Sequence, residues 1–245
     1  MITDVYDHCA HANSFGPAAH VYERGRPPYP EEALDWLLPP GTPRVLDLGA
    51  GTGKLTRQLT GRGLEVTAVD PSEGMLTELR RVLPDVPAHV GTAESIPLPD
   101  GSVDAVLVAQ AWHWVDPERA VPEITRVLSP GGRLGLLWNV RDDGEDWVRR
   151  LGELIDSPEQ DRSTDVGPPF GPVQHHRVRW THRISPDSLL DLVSSRSSVI
   201  LLPPAERAGL LAQVRQLMVT HPALVGRTGF TLPYVTECAR TDLQA

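Results

Sequence analysis

The chain has 245 residues, 40% of them hydrophobic, long enough for one α/β domain with a full core and barely long enough for two. Its 23 basic residues stand against 32 acidic ones, a formal charge of −9, and such a surface repels phosphate backbones. Nucleic acid is therefore disfavoured as the main partner, and no apolar run approaches membrane-spanning length, so no membrane partner is expected.

The opening stretch MITDVYDHCAHANSF has neither a basic region nor an apolar core, so it does not read as a signal peptide. The two cysteines, Cys9 and Cys238, make no disulfide framework and no zinc pattern; reduced thiols in a cytoplasmic protein are the expectation. Lys54 is the only lysine, and with 24 prolines and 21 glycines this bias suggests a GC-rich bacterial genome. Residues 1–30 show little periodicity until Ala18–Arg24. The run Tyr22-Glu23-Arg24-Gly25-Arg26-Pro27-Pro28-Tyr29-Pro30 then reads in two ways. It is either a proline-stiffened linker to a helix over Glu31–Leu38, or a lid whose tyrosines and arginines close over a ligand.

The next stretch, Arg44–Leu59 (RVLDLGAGTGKLTRQL), organises the chain. Val45, Leu46 and Leu48 form the short apolar run of a buried parallel strand. It stops at Gly49-Ala50-Gly51-Thr52-Gly53, after which Leu55 and Leu59 take helical spacing. Strand, glycine turn and helix open a Rossmann-type βαβ unit. A P-loop is excluded because Lys54 is followed by Leu55 and the required glycine spacing is missing. The dinucleotide pattern is met only in part, since Lys54 stands where a third glycine belongs. What remains is Asp47-x-Gly49-x-Gly51-x-Gly53. A carboxylate at the strand end repels a pyrophosphate and suits a ligand carrying an ammonium and a sulfonium.

In this motif the chain resembles the class I S-adenosyl-L-methionine (SAM) dependent methyltransferases. The resemblance implies an α/β fold: a Rossmann-like, seven-stranded, mostly parallel sheet with helices on both faces and an antiparallel final strand. It implies SAM as cofactor, S-adenosyl-L-homocysteine as product, and Asp47, Gly49, Gly51 and Gly53 as cofactor-binding residues. Arg26 is then the candidate partner of the SAM carboxylate, because a guanidinium binds a carboxylate bidentately. Tyr22, on the same strap, is placed with the substrate.

Leu64–Val69 alternates towards Asp70, which follows Gly51 at close to the ~20-residue spacing where an acid meets ribose hydroxyls. Ser72 is the better N-cap for the helix expected over Ser72–Leu83. Val86–Gly91 is read as a third strand. The following loop lies beside adenine in the resembled family, where residues matching Thr92, Ala93 and Glu94 serve the ring. Val103–Ala109 is the fourth strand, running into Gln110-Ala111-Trp112-His113-Trp114. Ligands gather at the carboxyl ends of such strands. Gln110 is assigned to the cofactor, Trp112 and Trp114 to the substrate. His113 is either a general base between walling indoles or a hydrogen-bonded packing residue.

Asp116–Leu128 reads as an amphipathic helix with a proline near its start, and Arg133–Trp138 as the fifth strand. VLSPGGRLGLLWN matches the family's third motif, and Asn139 is a candidate substrate residue at a strand end. Trp147–Ile155 is helical. Pro158–Pro172 is a loop. Val173–Ile184 alternates, with Val178, Trp180 and Ile184 on one face. His175-His176 lacks further ligands at zinc spacing, so no metal is expected. Helices over Ser188–Val193 and Glu206–His221 are joined through Ser194-Ser195-Arg196-Ser197-Ser198, either a polar turn or a pocket where Arg196 meets an anionic substrate. Thr231–Arg240 is the last strand.

These features divide one domain into a lid over 1–30, a SAM-binding half over 31–140 and a substrate-side half over 141–245. The Y-x-R-G-R-P-x-Y-P strap and AQAWHW are similar to a bacterial branch loosely related to trans-aconitate methyltransferases. The resemblance thus implies methyl transfer to a small-molecule acceptor by in-line displacement, with O-methylation favoured and a carboxylate among the oxygen acceptors. The protein would act as a monomer or homodimer. A SAM-binding protein without methyl transfer shares every binding motif and remains a rival. A nicotinamide oxidoreductase is disfavoured by Asp47 and the missing third glycine.

Overall fold

The computed structural model describes residues 23, 25–38, 40–155 and 163–244. Helix α1 (Glu31–Leu37) precedes β1 (Arg44–Leu48), α2 (Lys54–Gly61), β2 (Glu65–Asp70), α3 (Glu73–Val82) and β3 (Ala88–Val90). After a loop come β4 (Val103–Ala109), a single 3₁₀ turn over Trp112–Trp114, α4 (Pro117–Val127) and β5 (Leu128–Arg141). The remainder holds α5 (Asp146–Ile155), β6 (Gln174–Ile184), α6 (Pro186–Ser194), α7 (Ser197–Ile200), α8 (Pro204–Thr220) and β7 (Phe230–Asp242).

The strands form one sheet in the order β3-β2-β1-β4-β5-β7-β6. β1 is parallel to β2 and β4, and β4 is parallel to β5, while β7 runs antiparallel between β5 and β6. The expected seven-stranded sheet with an antiparallel last strand is thus present. Strand order reverses between β1 and β4, and a crevice opens at such a switch point.

Two-sided burial dictates this arrangement. In β1, Val45 packs with α1 and α2 residues Leu34, Leu37, Leu55 and Leu59. Leu46 and Leu48 face the opposite side, where α4 presents Ala120, Val121, Ile124 and Val127. A separate core lies towards β6 and β7, where Leu151 of α5, Leu189 of α6 and Val214 of α8 pack against Ile184, Leu232 and Tyr234. Among the described residues no helix is long and apolar enough to cross a membrane.

Several boundaries differ from expectation, each for a tertiary reason. The third strand shrinks to three residues because it is an edge, paired with β2 alone. Gly91 then turns so tightly that a Cβ would stand 2.6 Å from Pro97 Cδ. The fifth strand begins at Leu128 because a register shift opposite Val103 and Ala105 absorbs Pro130-Gly131-Gly132. It continues to Arg141 because β7 pairs with it that far. Ser197 and Ser198, the end of the expected polar turn, open the short α7, which is anchored by buried Val199.

The loop after β3 is held by Arg126 of α4. Its guanidinium donates to the Ile96 and Leu98 carbonyls at 2.8 Å each and pairs with Glu123 and Asp100. Glu123 in turn accepts the Ile96 N–H, and its carboxyl is pulled down to about 2, chiefly by the Arg126 hydrogen bonds. Removing the arginine leaves two carbonyls with lost donors. Arg126→Ala is therefore expected to cost about 1.5–3 kcal/mol, the range for hydrogen bonds to a charged group. Thermal melting would show the loss, and hydrogen exchange should quicken at the loop amides. Unchanged exchange there would contradict the staple.

Candidate active site

The turn after β1 is shaped by what surrounds it. Gly49 and Ala50 both donate their N–H to the Val69 carbonyl, at 2.8 and 3.1 Å. Gly49 has φ +77°, and a Cβ there would stand 2.7 Å from the Ala111 side chain, so the turn lies directly against the end of β4. Gly51 has φ +56°, and no described atom lies within 4 Å of the position its Cβ would take. The turn is closed on one side and open on the other. Gly53, at φ +88°, starts α2 without any side-chain cap.

Two carboxylates sit at this turn. Asp70 Oδ2 accepts the Gly51 N–H and Oδ1 accepts the Ser72 N–H, both at 2.8 Å. Burial pushes the Asp70 carboxyl up to about 6 against the pull of those two donors. Ser72 caps α3 through the Met75 N–H, so the cap falls to Ser72 and Asp70 remains at the turn. Asp47 is fully buried; Oδ2 accepts from Thr56 Oγ1 at 2.6 Å, and Oδ1 has no hydrogen-bond partner. Its carboxyl is pushed up to about 7, first by burial and further by the charge of Asp70, with Thr56 opposing.

The strap lies along this rim. Glu23 accepts from Thr52 Oγ1 at 2.8 Å and pairs with Lys54 at 3.3 Å and Arg57 at 3.0 Å. Gly25 passes so near α6 that a Cβ would meet the Asp191 carbonyl carbon at 2.6 Å. Arg26 Nη2 donates to the Ser195 carbonyl at 3.3 Å. Tyr29 is buried, and Gln58 takes its N–H and donates to its carbonyl. Tyr22 and the lid segment before Glu23 lie outside the described residues. Sequence reading passed over Glu23 and Gln58, because neither shows its partners until α2 is folded against the strap.

On the other side of the switch point, Gln110 is the only described non-glycine residue with positive φ, at 59°. Its Nε2 donates to the Asn139 carbonyl at 3.3 Å. Such a conformation costs about 1–3 kcal/mol and is held by its surroundings. His113 and Trp114 are half-buried, their rings tilted with centroids 4.7 Å apart. Trp112, placed with the substrate from the sequence, is 3% exposed and its indole packs within the main core.

Thr92 and Ser95 exchange backbone hydrogen bonds, Ala93 is buried in the core, and Glu94 Oε1 accepts the Asp116 N–H at 2.9 Å. That bond folds the loop back onto the start of α4. Asn139, expected on the substrate, is half-buried and ties the strap to β7: Nδ2 donates to the Pro28 carbonyl and Oδ1 accepts from Thr236 Oγ1. Arg196 is half-buried at the start of α7. Among the described residues no group of three His, Cys, Asp or Glu is placed to hold a metal.

An open glycine turn above buried carboxylates, at the switch point of a mixed sheet with an antiparallel last strand, defines a Rossmann-like methyltransferase. The sequence profile of the methyltransferase domain matches residues 46–136. An uncharacterized methyltransferase of Mycobacterium tuberculosis is 60% identical over 233 residues, 94% of this chain and 96% of that one. The chain belongs to this methyltransferase family. A candidate type II methyltransferase from Anaeromyxobacter dehalogenans has a similar structure, with TM-score 0.64, 28% identity, and coverage of 89% of this chain and 97% of that one. A phosphoethanolamine N-methyltransferase of Haemonchus contortus, solved with phosphomonomethylethanolamine and S-adenosylhomocysteine, shares the fold. There the TM-score is 0.57 and identity 17%, over all of this chain and 61% of that one.

Asp47 yields a stability prediction with a definite sign. Its folded value of about 7 lies above the ordinary 3.8, so between those values the native state binds more protons than the unfolded chain. Its contribution to stability therefore falls as pH rises through that window. Asp47→Asn, neutral throughout, should melt higher than the parent near pH 8, and the advantage should shrink near pH 5. Melting curves at both pH values check this; an advantage independent of pH would contradict it.

Proposed function

We propose that this methyltransferase uses SAM to methylate an oxygen nucleophile of a small-molecule acceptor, with a carboxylate as the favoured acceptor. One observation carries the reading. The turn at Gly51 is open where a side chain would fill it, and the buried Asp47 beside it keeps one carboxylate oxygen without a donor. A cationic ligand with many hydroxyls suits both features. When bound, SAM supplies an electrophilic methyl group on a sulfonium.

The chain's own residues do the rest. The Asp70 oxygens, each already taking one backbone N–H, have lone pairs left for ribose hydroxyls. Asp47 supplies negative charge beneath Gly49, Gly51 and Gly53, and Gln110 borders the same turn. Thr92, Ala93 and Glu94 line the adenine side, on a loop fixed by Arg126. Arg26, reaching in from the strap, takes the cofactor carboxylate. His113 and Trp114 exclude water from the acceptor. For a carboxylate acceptor no base is needed; for a hydroxyl, His113 holds the departing proton. The presence of S-adenosylhomocysteine in the structurally similar Haemonchus contortus enzyme supports the choice of cofactor.

Calorimetric titration with SAM and S-adenosylhomocysteine tests the reading. Asp70→Ala should weaken both by about 1.5–3 kcal/mol; equal affinity in parent and variant would remove the ribose assignment. The acceptor is sought by screening small carboxylic acids, phenols and amines with labelled SAM. On a hydroxyl acceptor, His113→Ala should lower turnover about 10²–10⁴-fold and flatten the acidic limb of the pH–rate profile. On a carboxylate acceptor the loss should be slight. A variant with parental rate and profile on a hydroxyl acceptor would reduce His113 to a wall.

A further inference from the structure

Helix α2 opens with its charges the wrong way round. Its first turn has no acidic residue and Gly53 offers no side-chain cap, while Lys54 and Arg57 both stand there. Cations at a helix N-terminus oppose the dipole. The missing acid comes from the strap. Glu23 Oε1 pairs with Lys54 Nζ at 3.3 Å and with Arg57 Nη2 at 3.0 Å, and Oε2 accepts from Thr52 Oγ1 at 2.8 Å. The Glu23 side chain is 13% exposed, and Thr52, between Gly51 and Gly53 of the turn, is fully buried. A carboxylate so far out of water, with both oxygens engaged, holds its donors more firmly than a surface pair does.

Lys54, Arg57 and Gln58 share one face of α2, being three and four residues apart. Gln58 accepts the Tyr29 N–H at 2.8 Å and donates to the Tyr29 carbonyl at 2.7 Å. The strap therefore stands on α2 twice, at Glu23 and at Tyr29. Between these footings Gly25 passes within 2.6 Å, at the position of a Cβ, of the Asp191 backbone in α6. Arg26 donates to the Ser195 carbonyl at 3.3 Å, and Asn139 Nδ2 donates to the Pro28 carbonyl at 2.9 Å. The strap is an arch from α2 to the α6–α7 junction and back, and its links are made by the chain itself.

We propose that Glu23 is a positioning residue for cofactor binding: from the strap it caps α2, fixes Thr52 among the glycines, and foots the arch that carries Arg26. This rests on the reading of the turn as a SAM site and adds a residue that acts without touching the cofactor. Glu23 does not compete with the cofactor carboxylate for Lys54 and Arg57. Its third donor is a buried hydroxyl with no other acceptor, and the close pass at Gly25 leaves the arch no room to swing away. Asp70 is held separately by the Gly51 and Ser72 N–H groups, so the ribose end of the site keeps its partners when Glu23 is changed. The effect of Glu23 falls on the amino-acid end of the cofactor.

The probes are S-adenosylhomocysteine and adenosine, titrated calorimetrically into the full chain. Adenosine shares the nucleoside and lacks the amino-acid end. Glu23→Gln keeps an acceptor for Thr52 and removes both ion pairs, whereas Glu23→Ala removes all three contacts. S-adenosylhomocysteine affinity should fall about fivefold in the first and at least about tenfold in the second, with adenosine changed less than about twofold in either. Arg57→Gln should cost less in the Glu23→Gln background than in the parent, because the pair is already broken. Thr52→Val, which keeps shape and removes the hydroxyl, should also weaken S-adenosylhomocysteine selectively, and it serves with Glu23→Gln if Glu23→Ala does not fold. Unchanged S-adenosylhomocysteine affinity would overturn the role, leaving a passive contact. Tighter binding would overturn it by showing that Glu23 competes with the cofactor carboxylate. An equal loss with adenosine would overturn it in favour of a purely structural part. A parent protein that binds neither probe removes the SAM reading and the role together, whereas selective failure in the variants alone removes only the role.

Discussion

The close approach of Gly49 to Ala111 is the contact on which the rest of the site depends. It brings the end of β1 against the end of β4, while the Val69 carbonyl holds Gly49 and Ala50 and the Asp70 carboxylate holds Gly51. Three strand ends are thereby joined around a turn of three positive-φ glycines. A Cβ at Gly49 would separate β1 from β4, and the crevice would lose its floor. Burying Asp47 and Asp70 beneath this turn is costly in the absence of a cation. Their raised protonation ranges express that cost.

Around this floor the molecule divides its work between two cores. One packs α1, α2 and α4 on opposite faces of the parallel strands and makes the turn rigid. The other packs α5, α6 and α8 against the far end of the sheet, with Tyr234 buried in it. The strap joins the two: Glu23 lies on the glycine turn, Arg26 on the α6–α7 junction, Pro28 on Asn139 and Tyr29 on Gln58. Its links at Glu23, Arg26 and Pro28 are polar, while Gly25 and Tyr29 are buried.

Charge follows the same division. The overall balance is acidic, yet positive side chains stand along the contacts of the strap. Lys54 and Arg57 engage Glu23, Arg26 reaches the Ser195 carbonyl, and Arg141 stands opposite Tyr234 across the β5–β7 pair. Within a partly desolvated cleft these local fields outweigh the distant net charge, which solvent screens.

Local pattern by itself determined the strands, the glycine turn and both aspartates, because these depend on periodicity, backbone conformation and short spacing. Asp47-x-Gly49-x-Gly51-x-Gly53 and Asp70 were legible for that reason, as was Ser72 as the α3 cap. Tertiary structure alone decided the rest. Trp112 and Trp114 are two residues apart and alike in sequence, but a single 3₁₀ turn sends the first into the core and leaves the second half-buried. Nothing local to Asn139 announces its bonds to Pro28, over a hundred residues earlier, and to Thr236 on β7. The Arg126 staple joins α4 to a loop about thirty residues earlier, and Arg141 meets Tyr234 only through the antiparallel return of β7. Contacts of this kind are set by which chain segments the sheet order brings side by side, and no local pattern records them.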